Sequence, residues 1–368
     1  MAVAADRAFQ YMWQESFERG LREPGYCKIV ILGVGGCGNN TISRLTESGI
    51  VGAECIAINT DLQHLQATHA LNKVLIGENV TKGLGAGGDP EVGRRAIEES
   101  RKKIEDLLVD VDIAFVTAGM GGGTGTGAAP VVAQIAREKG AIVVGVVTMP
   151  FNMERGRMRY AIQGLREMRK ACDTVAVIDN NKLLKLASHL PLTEAFLMAD
   201  QTLSNMVKGI VETISAPSLV NLDFADFKTI IKRGGVAIVG IGESDSENRA
   251  EEAVKKALNC PLLDVDYSGA KGALIHVAGD KDMTIEEANL VGEMVTKAMD
   301  EEALVIWGAR IDPNLNGKIR VTLLMTGVRS PYLLSGYSNE TPRLYNLDDE
   351  EEFRGKLNLN LHLDQIEV

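Results

Sequence analysis

The sequence predicts a doubly wound, mostly parallel α/β domain, a long connecting helix and a second, smaller α/β domain. Three observations carry that prediction. From about residue 27 to 180, short continuous apolar runs alternate with amphipathic stretches at helical spacing, the pattern of a parallel sheet covered on both faces. Two glycine-rich turns each follow an apolar run and lead into a helical stretch, and ligands of such sheets bind outside the carboxyl ends of the strands. Finally, TEAFLMADQTLSNMVKGIVETIS places Phe196, Ala199, Leu203, Met206, Val207, Ile210 and Ile214 on one helical face, with Thr193 as a cap and Pro217 as a stop.

The elements follow in order. Residues 1–26 read as an N-terminal extension with a peripheral amphipathic helix, because acidic residues stand where a signal peptide needs an apolar centre. The first domain, 27–190, runs strand CKIVILG, helix NNTISRLTES, strands AECIAI and NKVLIG, helix PEVGRRAIEESRKKIEDLL, strand DIAFVTA, helix TGAAPVVAQIAREKG, strand AIVVGVV, a helix from Glu154 to about Lys170, and strand TVAVID. The connecting helix occupies 191–217. The second domain, 218–328, holds strand VAIVGIG, helix ENRAEEAVKKALN, strand ALIHVAG, helix TIEEANLVGEMVTKAMDEE, and strands ALVIWGARI and KIRVTLLMTGV. Residues 329–368 form a polar linker and tail, with the acidic run DDEEE at 348–352 and alternating leucines at 357, 359, 361 and 363. Those leucines suit strand addition to a partner's sheet or packing on their own domain.

Composition narrows the function. A net charge of −11 opposes non-specific nucleic-acid binding, and 5% aromatic residues give little for stacking single strands. The five cysteines, Cys27, Cys37, Cys55, Cys172 and Cys260, are scattered, without the spacing of a disulfide framework or a zinc site. No apolar run approaches a membrane span. A cytoplasmic protein is the expectation.

The chemistry lies in the glycine turns. Gly33-Val34-Gly35-Gly36-Cys37-Gly38 fits G-x-G-x-x-G, and Asp61 follows further along, so this turn alone leaves an NAD-dependent oxidoreductase open. The second turn packs six glycines between Gly119 and Gly127 and offers consecutive free N–H groups as an anion nest, with hydroxyl donors on Thr124 and Thr126. Two nests on adjacent crossovers suit an extended phosphate chain. A third segment, TKGLGAGGDP at 81–90, adds further glycines and Lys82. No G-K-[ST] sequence is present, so the phosphates would rest on backbone dipoles with Mg²⁺ offsetting the remaining charge.

GGGTGTGAAP (121–130), with GVGGCGNN (33–40) before it, resembles the tubulin/FtsZ signature, and the run from about 27 to 328 is similar to FtsZ, the filament-forming GTPases of prokaryotic cell division. NTDLQHL (59–65), GLGAGGDP (83–90), TMPFNMERGR (148–157), IDNNKL (178–183) and NLDFADF (221–227) continue the match in the family's order. IDNN and Asp200 resemble the archaeal type. The resemblance implies that Gly35, Gly36 and Cys37 approach the α- and β-phosphates, that Gly121, Gly122, Gly123, Thr124, Gly125 and Thr126 cradle the rest of a GTP or GDP, and that Asn40 and Arg157 also bind the nucleotide. It places Ala86, Gly87 and Gly88 at the γ-phosphate, Glu154 on the ribose and Phe196 on the base, with Asn39, Asn180 and Asp200 reading guanine. Asn221, Asp223 and Asp226 match the family's catalytic loop. Without the resemblance, Phe196 fits core, Glu154 a first-turn carboxylate, Asp200 a solvated face, the asparagines caps, and the two aspartates a polar turn.

About 20 helical residues at 1.5 Å each separate Asp200 from the acidic segment by roughly 30 Å, so Asp223 and Asp226 would act on a neighbouring copy. The implied protein is a Mg²⁺-dependent GTPase that assembles head to tail, works at the mid-cell division ring beside any paralogue, and recruits a membrane adaptor through its tail. Two positions depart from the pattern: Ser218 replaces a usual glycine, and Met158 an arginine for which Arg155 or Arg157 would substitute. They keep open a polymerising scaffold with little hydrolysis.

Overall fold

The computed structural model describes residues 27–182, 191–215, 218–220, 224–232, 234–258, 270–297 and 299–328. The expectations for the N-terminal helix, Asn221, Asp223, Cys260 and the tail lie outside these residues, as does the side chain of Phe196.

Strand β1 (Ile29–Val34) runs straight into helix α1 (Gly35–Glu47). After β2 (Glu54–Asn59) come α2 (Leu62–Ala67), β3 (Asn72–Leu75) and α3 (Glu78–Thr81). The two short helices were not expected. Asp61 starts α2 by accepting the His64 N–H, and helices of four to six residues are too short for periodicity to reveal. The stretch from Pro90, expected as one helix, is two, α4 (Pro90–Glu99) and α5 (Arg101–Leu107). It breaks at Ser100, whose hydroxyl accepts the N–H of Gly77 at 3.0 Å. Strand β4 (Ile113–Gly119), helix α6 (Gly123–Glu138), β5 (Ile142–Met149), α7 (Arg155–Ala171) and β6 (Thr174–Asp179) complete the first half.

Helix α8 (Leu192–Ser215) then connects to α9 (Phe224–Lys232), β7 (Val236–Ser244), α10 (Arg249–Leu258), β8 (Gly272–Gly279), α11 (Ile285–Thr296), β9 (Leu304–Ile311) and β10 (Ile319–Val328). The acidic segment expected as a loop therefore continues as a helix from Phe224, and Asp226 lies in its first turn.

The two halves share one ten-stranded sheet in the order β3-β2-β1-β4-β5-β6-β7-β10-β8-β9. They join through parallel pairing of Val175 with Val236 and Ala176 with Ala237. Every pair from β3 to β6 is parallel, whereas β10 runs antiparallel to β7 and β8. Helix α8 buries Leu203, Met206, Val207 and Ile210, as its periodicity predicts, in a cluster that includes Phe227, Ile230 and Ile231 of α9. Because β1, β4, β5 and β6 are parallel and in register, their carboxyl ends share one rim: Val34 pairs with Ala118, Gly119 with Thr148 and Met149 with Asp179.

Candidate functional site

On that rim the two glycine turns are one structure. Helix α1 begins at Gly35, with φ +74°, and Val34 provides no side-chain cap; α6 begins at Gly123 after Gly122, again without one. Both helices thus present first-turn N–H groups with no side-chain acceptor, a ready anion site. A Cβ on Gly35 would lie 2.9 Å from the Gly125 nitrogen, and one on Gly119 would lie 2.8 Å from the Cys37 Cβ. Gly38 is equally confined, since its Cβ would approach the Thr117 carbonyl oxygen to 2.4 Å. Side chains at these positions would force the two helix ends apart.

The third glycine segment closes the other side. A Cβ on Gly123 would meet the Ala86 Cβ at 2.8 Å and the Asp89 nitrogen at 2.9 Å, while Gly87 and Gly88 hold positive φ with open space around them. Asp89 caps α4 by accepting the Glu91 N–H at 2.9 Å. Thr124 keeps its hydroxyl at the rim, 2.7 Å from that of Thr60. Thr126 is used differently: its oxygen is buried and accepts the Gly121 N–H at 2.8 Å, which holds Gly121 at φ +96°. The Cys37 thiol, 3.4 Å from the Thr148 hydroxyl, is pushed up to about 11 by burial, an effect its contact with Thr148 opposes. It is a neutral wall of the cradle.

The expected base-reading residues separate into two kinds. Asn39 is fully buried. With its amide nitrogen turned inward it donates to the carbonyls of Gly33 (2.8 Å), Gly35 (3.3 Å) and Ile58 (3.2 Å) and accepts from Asn59 Nδ2 at 3.1 Å. This corrects its reading as a base-facing group: it supports the first turn from beneath. Asn40, exposed on the same helix, lies beside the carboxylate of Asp200 and favours its charged form. Burial raises Asp200 above the usual carboxylate range, with Arg44 and Asn40 drawing it back. Asn40, Arg44, Glu47, His69 and Asp200 line a cavity of about 190 Å³. Asn180, at the end of β6, buries an Oδ1 that has no partner among the described residues.

Glu154 precedes α7. Its Oε1 accepts the Phe151 N–H at 3.2 Å and its Oε2 pairs with Arg157 at 2.7 Å. A Cβ on Gly121 would lie 3.0 Å from the Arg157 carbonyl oxygen, so Arg157 borders the second glycine turn while Met158 is half-buried.

Sequence reasoning gave no individual role to Asn59, Thr60, His64 or Asn181. The first three belong to the NTDLQHL motif, which was the one signal available. Asn181 donates to Asp179 (2.7 Å) and to the Pro150 carbonyl (3.3 Å) and accepts the Asn152 N–H at 2.8 Å, tying the Glu154 loop to the Asn180 loop.

Asp226 is not part of this rim. It is half-buried in the first turn of α9 and makes its own interactions. Helix α8, whose first turns carry Phe196 and Asp200, has 24 residues, a length of about 36 Å at 1.5 Å per residue. Before α9, Val220 pairs with Ala309 of the edge strand β9.

Comparison with known proteins agrees with this architecture. Residues 28–188 match the GTPase domain of the Tubulin/FtsZ family, and residues 235–329 match the C-terminal domain of the FtsZ family. The chain is 58% identical over 315 residues to cell division protein FtsZ 2 of Methanocaldococcus jannaschii, covering 85% of this chain and 83% of that one. It is 53% identical over 304 residues to FtsZ 1 of the same organism, covering 82% and 84%. A solved M. jannaschii FtsZ dimer superposes with a TM-score of 0.78 at 50% identity, covering 86% of this chain and 92% of that one.

Proposed function

Because the chain belongs to the tubulin/FtsZ family, within its FtsZ branch, we propose that it is a GTP-hydrolysing, filament-forming cell-division protein whose active site is completed by the next copy in the filament. The observation that carries this reading is the contact of Gly35 with Gly125. It brings two uncapped helix ends onto one ligand, where a dinucleotide fold presents one.

The residues then divide the work. First-turn N–H groups at Gly35–Cys37 and Gly122–Thr124 bind phosphate oxygens, and Ala86–Gly88 border the terminal phosphate. Glu154 accepts from the ribose hydroxyls. Asp200, as a carboxylate, accepts from guanine N1–H and the 2-amino group, a pair of donors adenine lacks. The Asn180 Oδ1, which has no partner within the described chain, supplies a further acceptor. Among the described residues no three ligating side chains converge, so a Mg²⁺ accompanying the nucleotide would be held through phosphate oxygens, offsetting their charge.

The length of α8 supports a reading in which a neighbour completes hydrolysis. Asp223 and Asp226 of one copy would orient and polarise a water that attacks the γ-phosphorus held by the next copy, breaking its bond to the β-phosphate oxygen. Exposed apolar side chains support such stacking. Leu84 and Met153 are each 84% exposed beside the cradle, and Leu219 is 73% exposed beside the acidic segment. A contact between these two different surfaces is heterologous and propagates into a filament. The solved M. jannaschii structure, an FtsZ dimer, fits that mode. In this reading the protein works in the cytoplasm at the mid-cell ring, alongside any paralogue, and residues 329–368 recruit a membrane adaptor.

The test is phosphate release and light scattering measured together against protein concentration, in wild type and Asp223→Ala. Turnover per molecule should rise with scattering above a threshold and vanish in the variant while assembly persists. Turnover independent of concentration would overturn the shared site, and assembly without turnover in wild type would make the protein a scaffold.

A further inference from the structure

We propose that His64 is a further phosphate-binding residue, an Nε2–H donor to the nucleotide whose ring orientation is set by Asn59. This rests on the guanine-nucleotide reading of the cradle and adds a side chain to a phosphate site otherwise made of backbone.

Three contacts position the ring. His64 donates its backbone N–H to Asp61 Oδ1 at 3.0 Å, which fixes the first turn of α2. The neighbouring Thr60 hydroxyl lies 2.7 Å from that of Thr124, anchoring the segment to the second glycine turn. On the other side, a Cβ added to Gly36 of the first turn would point at His64 Nε2, 3.8 Å away. The imidazole therefore stands beside an exposed glycine of one turn while its own chain is held to the other.

Asn59 decides which nitrogen carries the hydrogen. Its Oδ1 accepts the N–H groups of Thr60 (2.9 Å) and Asp61 (3.3 Å), so its Nδ2 is the end that faces outward. That nitrogen lies 3.4 Å from His64 Nδ1 and 3.1 Å from the Asn39 amide oxygen. An amide nitrogen only donates, so His64 Nδ1 accepts and the ring hydrogen sits on Nε2. Among the described residues Nε2 has no hydrogen-bond partner. The line Asn39–Asn59–His64 thus transmits the position of the first turn to a donor at its lip. Asp61 is the charged side chain on the element that carries His64, and it is committed to the cap. From α1 the ring meets Gly36, which brings no charge.

Binding of GTP, GDP and guanosine to full-length protein tests this in wild type, His64→Ala and His64→Gln. A hydrogen bond to a charged group contributes about 1.5–3 kcal/mol, so His64→Ala should weaken GTP and GDP roughly 10- to 100-fold. Guanosine, with no phosphate, should bind the variant as it binds wild type. Gln, which can place an amide donor near the Nε2 position, should restore most of the lost affinity. Side-chain nitrogen NMR of the wild type should find the hydrogen on Nε2. Unchanged GTP affinity in His64→Ala would overturn the proposal, and so would an equal loss for guanosine, which would mark a structural role. If wild type bound no guanine nucleotide, the function reading itself would fall.

Discussion

Gly35 and Gly125 approach so closely that a Cβ on Gly35 would stand 2.9 Å from the Gly125 backbone nitrogen. Ninety residues of chain separate them, yet neither turn can change shape without the other. Gly35 also holds φ +74°, where an L side chain costs about 1–2 kcal/mol from the backbone alone. Gly35→Ala should therefore lower thermal stability and reduce GTP affinity by more than tenfold. Differential scanning calorimetry and a nucleotide titration check both halves.

Asp200 makes two opposite demands. Burial raises it, so the free protein loses stability as pH rises from the ordinary carboxylate range through the raised value, while GTP needs the ionised form. GTP affinity should fall as acid protonates Asp200. Asp200→Asn should stabilise the nucleotide-free protein at pH 7 and weaken GTP about 10- to 100-fold, one or two charged hydrogen bonds. Xanthosine triphosphate, whose base presents an acceptor in place of the 2-amino donor, should gain relative to GTP. Melting curves and competition binding measure these effects.

Asn39 and Asn40 are adjacent in sequence and opposite in role. Asn39→Ala removes the donors to three carbonyls, leaving buried acceptors that cost about 1–3 kcal/mol each when unpaired. It should lower the urea midpoint as well as GTP affinity. Asn40→Ala should lower GTP affinity alone. Urea unfolding beside a GTP titration separates the two.

In the second half of the chain, Arg249 ties α10 to α11 and to the β9–β10 turn, donating to Glu287 (2.7 Å), Asp282 (2.8 Å) and the Gly317 carbonyl (2.6 Å). The Arg249 bond holds Glu287 below the usual carboxylate range. Its contribution is present above the ordinary glutamate value and is lost as pH falls through the lowered one. Arg249→Ala should destabilise by about 2–3 kcal/mol at pH 7, and by less near pH 3. Thermal melts at both pH values decide it.

Much of the fold was legible because its signals are local. Strand DIAFVTA and helix TGAAPVVAQIAREKG are read from apolar run, glycine and periodicity, and β4 and α6 fall there. The break at Ser100 was not legible, because it depends on the amide of Gly77. Nor was the helix beginning at Phe224, whose buried face, Phe227, Ile230 and Ile231, is short and lies against the sheet at β8 and β5. The two α/β units stand as expected, but the pairing at Val175 and Val236 that runs one sheet through both is only two residues long and left no mark in the sequence.

Residue order along the chain dictates where strands end in glycine, where the long helix runs, and which motifs of this family the chain carries. Each of those is written in residues close together along the chain. Tertiary structure alone decided that Gly35 meets Gly125, that Asn39 supports the loop while Asn40 faces Asp200, and that Asn59 turns His64 toward Gly36. Those outcomes depend on which backbone a side chain meets across the sheet. Parallel pairing of β1 with β4, not sequence proximity, sets that distance.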